Sequence, residues 1–132
     1  MILRLIFSAL ITVSTLFLTG CNASAAAPSV TLEDMRVGLD NPKIVVIDIR
    51  EPSEHALGVA KGARLVPMGQ VSKRLAELPQ PTSDQTLLVV CNTQNRSSKV
   101  VEQLRAQGFT NASYVKDGMS QWMARGWPTV NP

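Results

Sequence analysis

The sequence predicts an α/β fold, a central and mostly parallel β-sheet with helices on both faces, and three observations carry that expectation. Two short runs, Ile44-Val45-Val46-Ile47 and Leu87-Leu88-Val89-Val90, are apolar at every position, as strands buried on both faces are. Around them lie segments with apolar residues at helical spacing. Gly and Pro punctuate the joints, so strands and helices alternate along the chain, the pattern of a parallel sheet. The 132 residues are one domain's worth, and 45% hydrophobic with 17% charged residues excludes a disordered chain or a collagen-like repeat. The net charge is +3, but the basic residues are scattered and their longest cluster is Lys73-Arg74, so no nucleic-acid partner is expected.

Met1 to Gly20 holds one charge, Arg4, followed by a nearly continuous apolar run from Leu5 to Leu18. A spanning helix needs about 20 apolar residues, so residues 1–20 read as a secretory signal rather than a permanent anchor. The run ends Leu18-Thr19-Gly20-Cys21, which resembles the lipobox of bacterial lipoproteins, where the signal is cut before a cysteine that is then acylated. An ordinary signal cut near Ala25 to Ala27 is the alternative. On the lipobox reading the protein is exported to the periplasm or cell surface and held to a membrane by a lipid on Cys21. Residues 21–29 are small and polar and form a flexible tether, leaving residues 30–132 as the folded domain.

Thr31 with Asp34 three residues later resembles a capping box, and Leu32, Met35 and Leu39 then recur at helical spacing until Asn41-Pro42 stops the helix. Lys43 to Ile49 is the first central strand. Ser53 to Leu57 reads as one helical turn and Ala63 to Val66 as a short strand. Val71, Leu75 and Leu78 predict an amphipathic helix over Gly69 to Leu78, stopped by Pro79, with a Pro-rich turn to Gln85. Thr86 to Val90 is the second central strand and delivers Cys91. A helix starts near Ser97, carries Val100, Val101 and Leu104, and stops at Gly108 as the residue after its end. Ala112 to Val115 is a last strand and Met119 to Ala124 a last helix.

A strand, a cysteine, a short polar loop and a helix start form a chemically meaningful sequence. Backbone N–H groups of such a loop converge on one point and favour negative charge there, a thiolate included. Cys91 is therefore a candidate nucleophile, the alternative being a buried small hydrophobe at the end of a strand.

Cys91-Asn92-Thr93-Gln94-Asn95-Arg96-Ser97 resembles the active-site loop of the rhodanese sulfurtransferase family: a cysteine, four residues, then Arg and Ser or Thr. Asp48-Ile49-Arg50, Glu54 and Gly58 to Ala63 are similar to the family's Asp-x-Arg, Glu and Gly-x-x-x-Gly-Ala segment. Asp117-Gly118, Trp122 and Gly126-Trp127-Pro128 resemble its C-terminal signature. The resemblance implies a rhodanese-like fold and a sulfurtransferase in which Cys91 takes the outer sulfur of a donor such as thiosulfate as a persulfide. Cyanide or a thiol then accepts it. It implies that Asn92, Thr93, Gln94, Asn95, Arg96 and Ser97 bind the substrate, while Asp48, Arg50 and Glu54 support the loops. No cofactor beyond the covalent persulfide is implied. Related phosphatases and arsenate reductases use a loop one residue longer, so the six residues from Cys91 to Arg96 imply sulfur rather than phosphate as cargo.

Three positions depart from the pattern: Asn92 where many members carry Arg, Gln94 where Gly is common, and Val59 where His is common. They keep open a second reading, a sulfur-carrier or binding module with little thiosulfate turnover. Arg96 suits either an anion ligand or an ion pair. His55, the only histidine, is expected at the surface, and Trp122 and Trp127 as core or loop anchors. The ligands for a dedicated transition-metal site are too few. A disulfide between Cys21 and Cys91 ranks low because it would silence the nucleophile. A monomer is expected.

Overall fold

The computed structural model describes residues 25–132. The expected signal peptide, the lipidation residue Cys21 and the first part of the tether lie outside these residues. No described helix is long and apolar enough to cross a membrane.

Five strands, β1 (Ser29–Val30), β2 (Ile44–Asp48), β3 (Arg64–Leu65), β4 (Thr86–Val90) and β5 (Ala112–Val115), form one sheet in the order β1-β5-β4-β2-β3, and every neighbouring pair is parallel. The two apolar runs are its centre: β2 (Ile44–Asp48) and β4 (Thr86–Val90) pair residue for residue, from Ile44 opposite Thr86 to Asp48 opposite Val90. Alternation along each strand sends successive side chains to opposite faces. Val45, Ile47, Leu87, Val89 and Cys91 join Val100, Val101 and Leu104 of α3 (Asn95–Ala106) on one face. Val46, Leu88 and Val90 join Leu32 and Met35 of α1 (Leu32–Gly38) and Met119 and Trp122 of α4 (Gly118–Ala124) on the other. Helices thus cover both faces, as the unbroken apolar runs require.

Local signals fix the helix ends. Thr31 caps α1 through a full capping box, its hydroxyl accepting from the Asp34 amide while the Asp34 carboxylate accepts from the Thr31 amide. At the end of α3, Gly108 takes φ +98, its N–H donating to Arg105 O and that of Phe109 to Leu104 O, a Schellman closure. The short α2 (Pro52–His55) starts at a proline, and β5 spans Ala112–Val115.

Two elements differ from expectation. The segment after β3 (Arg64–Leu65) is not one α-helix but two 3-10 turns, Met68–Lys73 and Leu75–Glu77. They are separated at Arg74, where φ −118 and ψ 22 leave the helical range. Its guanidinium is spent on Glu77, on Gln70 and on the Leu65 carbonyl, and Pro79 forces Leu78 into an extended conformation. Val71 and Leu78 still reach the core, so the spacing served burial without an α-helix. The other is β1 (Ser29–Val30), an edge strand beside Tyr114 and Val115, which corrects the end of the expected tether: Ser29 is in the sheet, Pro28 O accepts from the Tyr114 amide and Ala27 packs on the core.

Candidate active site

In a parallel sheet every strand ends at the same pole, and ligands bind at that carboxyl end. Cys91 follows the last residue of the central strand β4 there. Its side chain is fully buried, and its thiol donates to the Ser97 hydroxyl at 3.3 Å, while that hydroxyl donates to the Gln94 carbonyl at 3.2 Å. Residues 91–94 form the loop and Asn95 opens α3. Among the described residues, none of the amide N–H groups from Asn92 to Ser97 has a protein acceptor, whereas the Ser98 amide donates to Gln94 O at 2.9 Å. Six unpaired donors at a helix start favour negative charge. Gln94 adopts φ −156, so its replacement of glycine costs no left-handed strain.

Arg96, expected among the substrate-binding residues, turns its guanidinium to Glu54, Nη1 to Oε2 at 2.7 Å and Nη2 to Oε1 at 2.6 Å. These hydrogen bonds, ahead of the opposing effect of desolvation, bring the Glu54 carboxyl down from 4.5 to about 2. Glu54 in turn raises Arg96 above the ordinary arginine value. The Glu54 carboxylate therefore holds the loop, while its backbone carbonyl accepts from Arg50 Nη1 at 3.4 Å.

Those two form a separate buried pair. Arg50 Nε donates to both Asp48 carboxylate oxygens at 3.0 Å and Nη2 to Oδ2 at 2.7 Å, and the guanidinium also reaches the Gly58 carbonyl at 2.9 Å. Both side chains are at most 1% exposed. His55 is a correction: it is buried, not at the surface, with Nε2 3.4 Å from Asp48 Oδ1 but without a hydrogen-bond partner. It sits at the last position of the α2 turn, whose inner face covers the Asp48–Arg50 pair, and four residues carry too little periodicity to reveal that face.

Trp122 is an anchor, donating from Nε1 to the Pro128 carbonyl at 3.0 Å, with the Trp127 ring edge-on at 5.0 Å. Val59 fills its departure from the pattern structurally, bridging antiparallel to Val130. In the sequence Gly118 stands only as part of a signature. The structure places it against the loop backbone, with the amides of Met119 and Ser120 donating to Cys91 O and Asn92 O, both at 2.9 Å. The spacing of Asp117-Gly118 after β5 was the one available signal.

Surface hollows lie elsewhere. One of about 340 Å³ borders Ile44 and Gln85 at the opposite pole, and one of about 520 Å³ borders Val37 and Trp127. Neither is lined by a nucleophile, so the chemistry follows the thiol and not the volume. No cluster of three or more potential metal ligands occurs among the described residues.

Residues 31–125 match the model of the rhodanese-like domain family. The chain is 38% identical over 82 residues to the thiosulfate sulfurtransferase GlpE of Pseudomonas putida, covering 61% of this chain and 70% of that protein. It is 30% identical over 110 residues to "Probable adenylyltransferase/sulfurtransferase MoeZ" of Mycobacterium tuberculosis, which is 81% of this chain but only 27% of that longer protein. The crystal structure of a rhodanese-related protein from Thermoplasma volcanium is similar in fold, with a TM-score of 0.66 at 24% identity, covering 80% of this chain and 99% of that one. With sulfurtransferases among its relatives and a thiol loop at the carboxyl end of its parallel sheet, the chain belongs to the rhodanese family.

Proposed function

We propose that the protein is a sulfurtransferase that carries sulfane sulfur as a persulfide on Cys91, with thiosulfate as a donor and cyanide or a thiol as acceptor. The observation that supports this most is the run of amides from Asn92 to Ser97, none with a protein acceptor, that directly follows Cys91 at the start of α3. In the first step the Cys91 thiolate attacks the outer sulfur of thiosulfate. A cysteine S–S bond forms, the S–S bond of thiosulfate breaks, and sulfite leaves with the electron pair. In the second step the acceptor attacks that outer sulfur and the thiolate leaves, giving thiocyanate when the acceptor is cyanide. The amides stabilise the anionic persulfide between steps, as oxyanion donors do. Once the thiol has ionised, the Ser97 hydroxyl can turn from the Gln94 carbonyl and donate to sulfur.

Two observations favour a second reading, a sulfur-carrier module with little thiosulfate turnover. Cys91 is fully buried, and the Arg96 guanidinium is committed to Glu54. A single experiment tests the persulfide itself. Purified protein treated with thiosulfate should gain about 32 Da on intact mass, one sulfur atom, and Cys91→Ser should remain folded, gain nothing and form no thiocyanate. Retained turnover in Cys91→Ser refutes the assignment; mass gain without turnover selects the carrier.

The lipid anchor on Cys21, and with it an exported, membrane-held location, is part of the same proposal and rests on the Leu18-Thr19-Gly20-Cys21 motif alone.

A further inference from the structure

We propose that the first turn of α4 is the positioning element of the thiol loop: Gly118, with the amides of Met119 and Ser120, aims the Asn92 and Thr93 N–H groups at the sulfur of Cys91. The inference rests on the sulfur-transfer reading of the loop and assigns the part that sets its donor directions.

All described peptide bonds are trans, and in a trans peptide the N–H points opposite to the C=O. Met119 donates to the Cys91 carbonyl and Ser120 to the Asn92 carbonyl, each at 2.9 Å, so both carbonyls point toward α4. The N–H groups of the same two peptide units, those of Asn92 and Thr93, therefore point away from α4. That helix packs on the sheet face of Val46, Leu88 and Val90, whereas the Cys91 side chain lies in the opposite cluster with Val100 and Val101. Away from α4 is thus the side that holds Sγ.

Such close docking of helix to loop requires glycine. Gly118 has φ +62, and a Cβ there would lie 2.5 Å from the Cys91 carbonyl oxygen, 2.6 Å from the Asn92 carbonyl carbon and nearer still to the Thr93 carbonyl oxygen. All three obstacles are backbone, which cannot swing aside as a side-chain tip can. The preceding residue, Asp117, is the one non-glycine with positive φ among the described residues, and the Gly118 amide closes onto Lys116 O at 2.8 Å. This tight turn brings the chain from β5 to the loop's backbone through only two residues, Lys116 and Asp117.

Gly118→Ala should therefore push the loop off α4 and turn its amides. The full chain is assayed for thiosulfate–cyanide turnover and for alkylation of Cys91 by negatively charged iodoacetate against neutral iodoacetamide, normalised to free cysteine. The rate ratio reports the pull of the amides on an anion and requires no sulfur transfer. The expected result is a folded variant whose ratio falls severalfold and whose kcat/KM falls about tenfold or more. Folded protein with an unchanged ratio overturns the proposal, even if turnover drops, because that is a stability effect alone. If Gly118→Ala does not fold, Ser120→Pro removes one of the two donors at a first-turn position that tolerates proline, and the same ratio decides. A wild-type chain without turnover whose high ratio is lost in the variants would retain this inference and refute the sulfur-transfer reading.

Discussion

Arg96 and Glu54 meet in a two-pronged ion pair, at 2.7 and 2.6 Å, that joins α2 to the first turn of α3. The only cation within the Cys91 loop is thereby used to hold a neighbouring segment, and anion attraction at the thiol is left to backbone amides. Because the Glu54 carboxyl titrates at about 2 in the fold against 4.5 ordinarily, its contribution to stability is full above 4.5 and is lost as pH falls toward 2. Glu54→Gln should lower stability by about 1 kcal/mol at neutral pH, the pair being partly exposed. In urea unfolding, the gap between variant and wild type should close as pH falls through that window; a gap that persists at its acid end refutes the role.

Asp48 and Arg50 should behave differently, since both are buried. Asp48→Ala strands a guanidinium in the interior and should cost about 3–5 kcal/mol. A loss below about 1 kcal/mol in equilibrium unfolding would mean that water reaches Arg50.

The loop's chemistry depends on its length and on residue 92. Asn92→Arg adds a guanidinium beside the amides and should lower the KM for thiosulfate with less effect on kcat. An unchanged or higher KM in the folded variant would strengthen the carrier reading. Inserting one residue between Cys91 and Arg96 should weaken sulfur transfer, and the native loop should not hydrolyse an aryl phosphate to any useful extent.

If Leu18 to Cys21 is processed as a lipobox, the expressed protein should incorporate labelled palmitate and sediment with membranes, and Cys21→Ala should abolish both. Unlabelled, freely released wild-type protein would instead point to ordinary signal cleavage.

What could be read in advance was whatever a few neighbouring residues decide by themselves. The run Leu87 to Val90 must be buried on both faces, Thr31 and Asp34 cap each other across one turn, and Gly108 stops α3 because little else takes its φ. The thiol loop was legible because its residues are contiguous. His55, Gly118 and the 3-10 turns were not, since their states are set by the folded partners each one meets rather than by a motif of neighbouring residues. His55 is buried by Asp48, Gly118 by the peptides of residues 91–93, and the Arg74 break by contacts with Leu65 and Glu77. Intrinsic preference is a weak guide where tertiary contacts decide.

The direction of β1 gives the domain a head and a foot. Ser29 lies opposite Tyr114, whose amide donates to Pro28 O, and the pairing is parallel. The chain thus runs toward the sheet's carboxyl pole, while Cys91 stands just beyond the last residue of β4. Ser29 and Val89 are both level with Tyr114, so β1 meets the sheet near the head, where the thiol is carried. An exchange partner therefore meets the sulfur at the same pole where β1 finishes, with only β5 between that edge strand and β4.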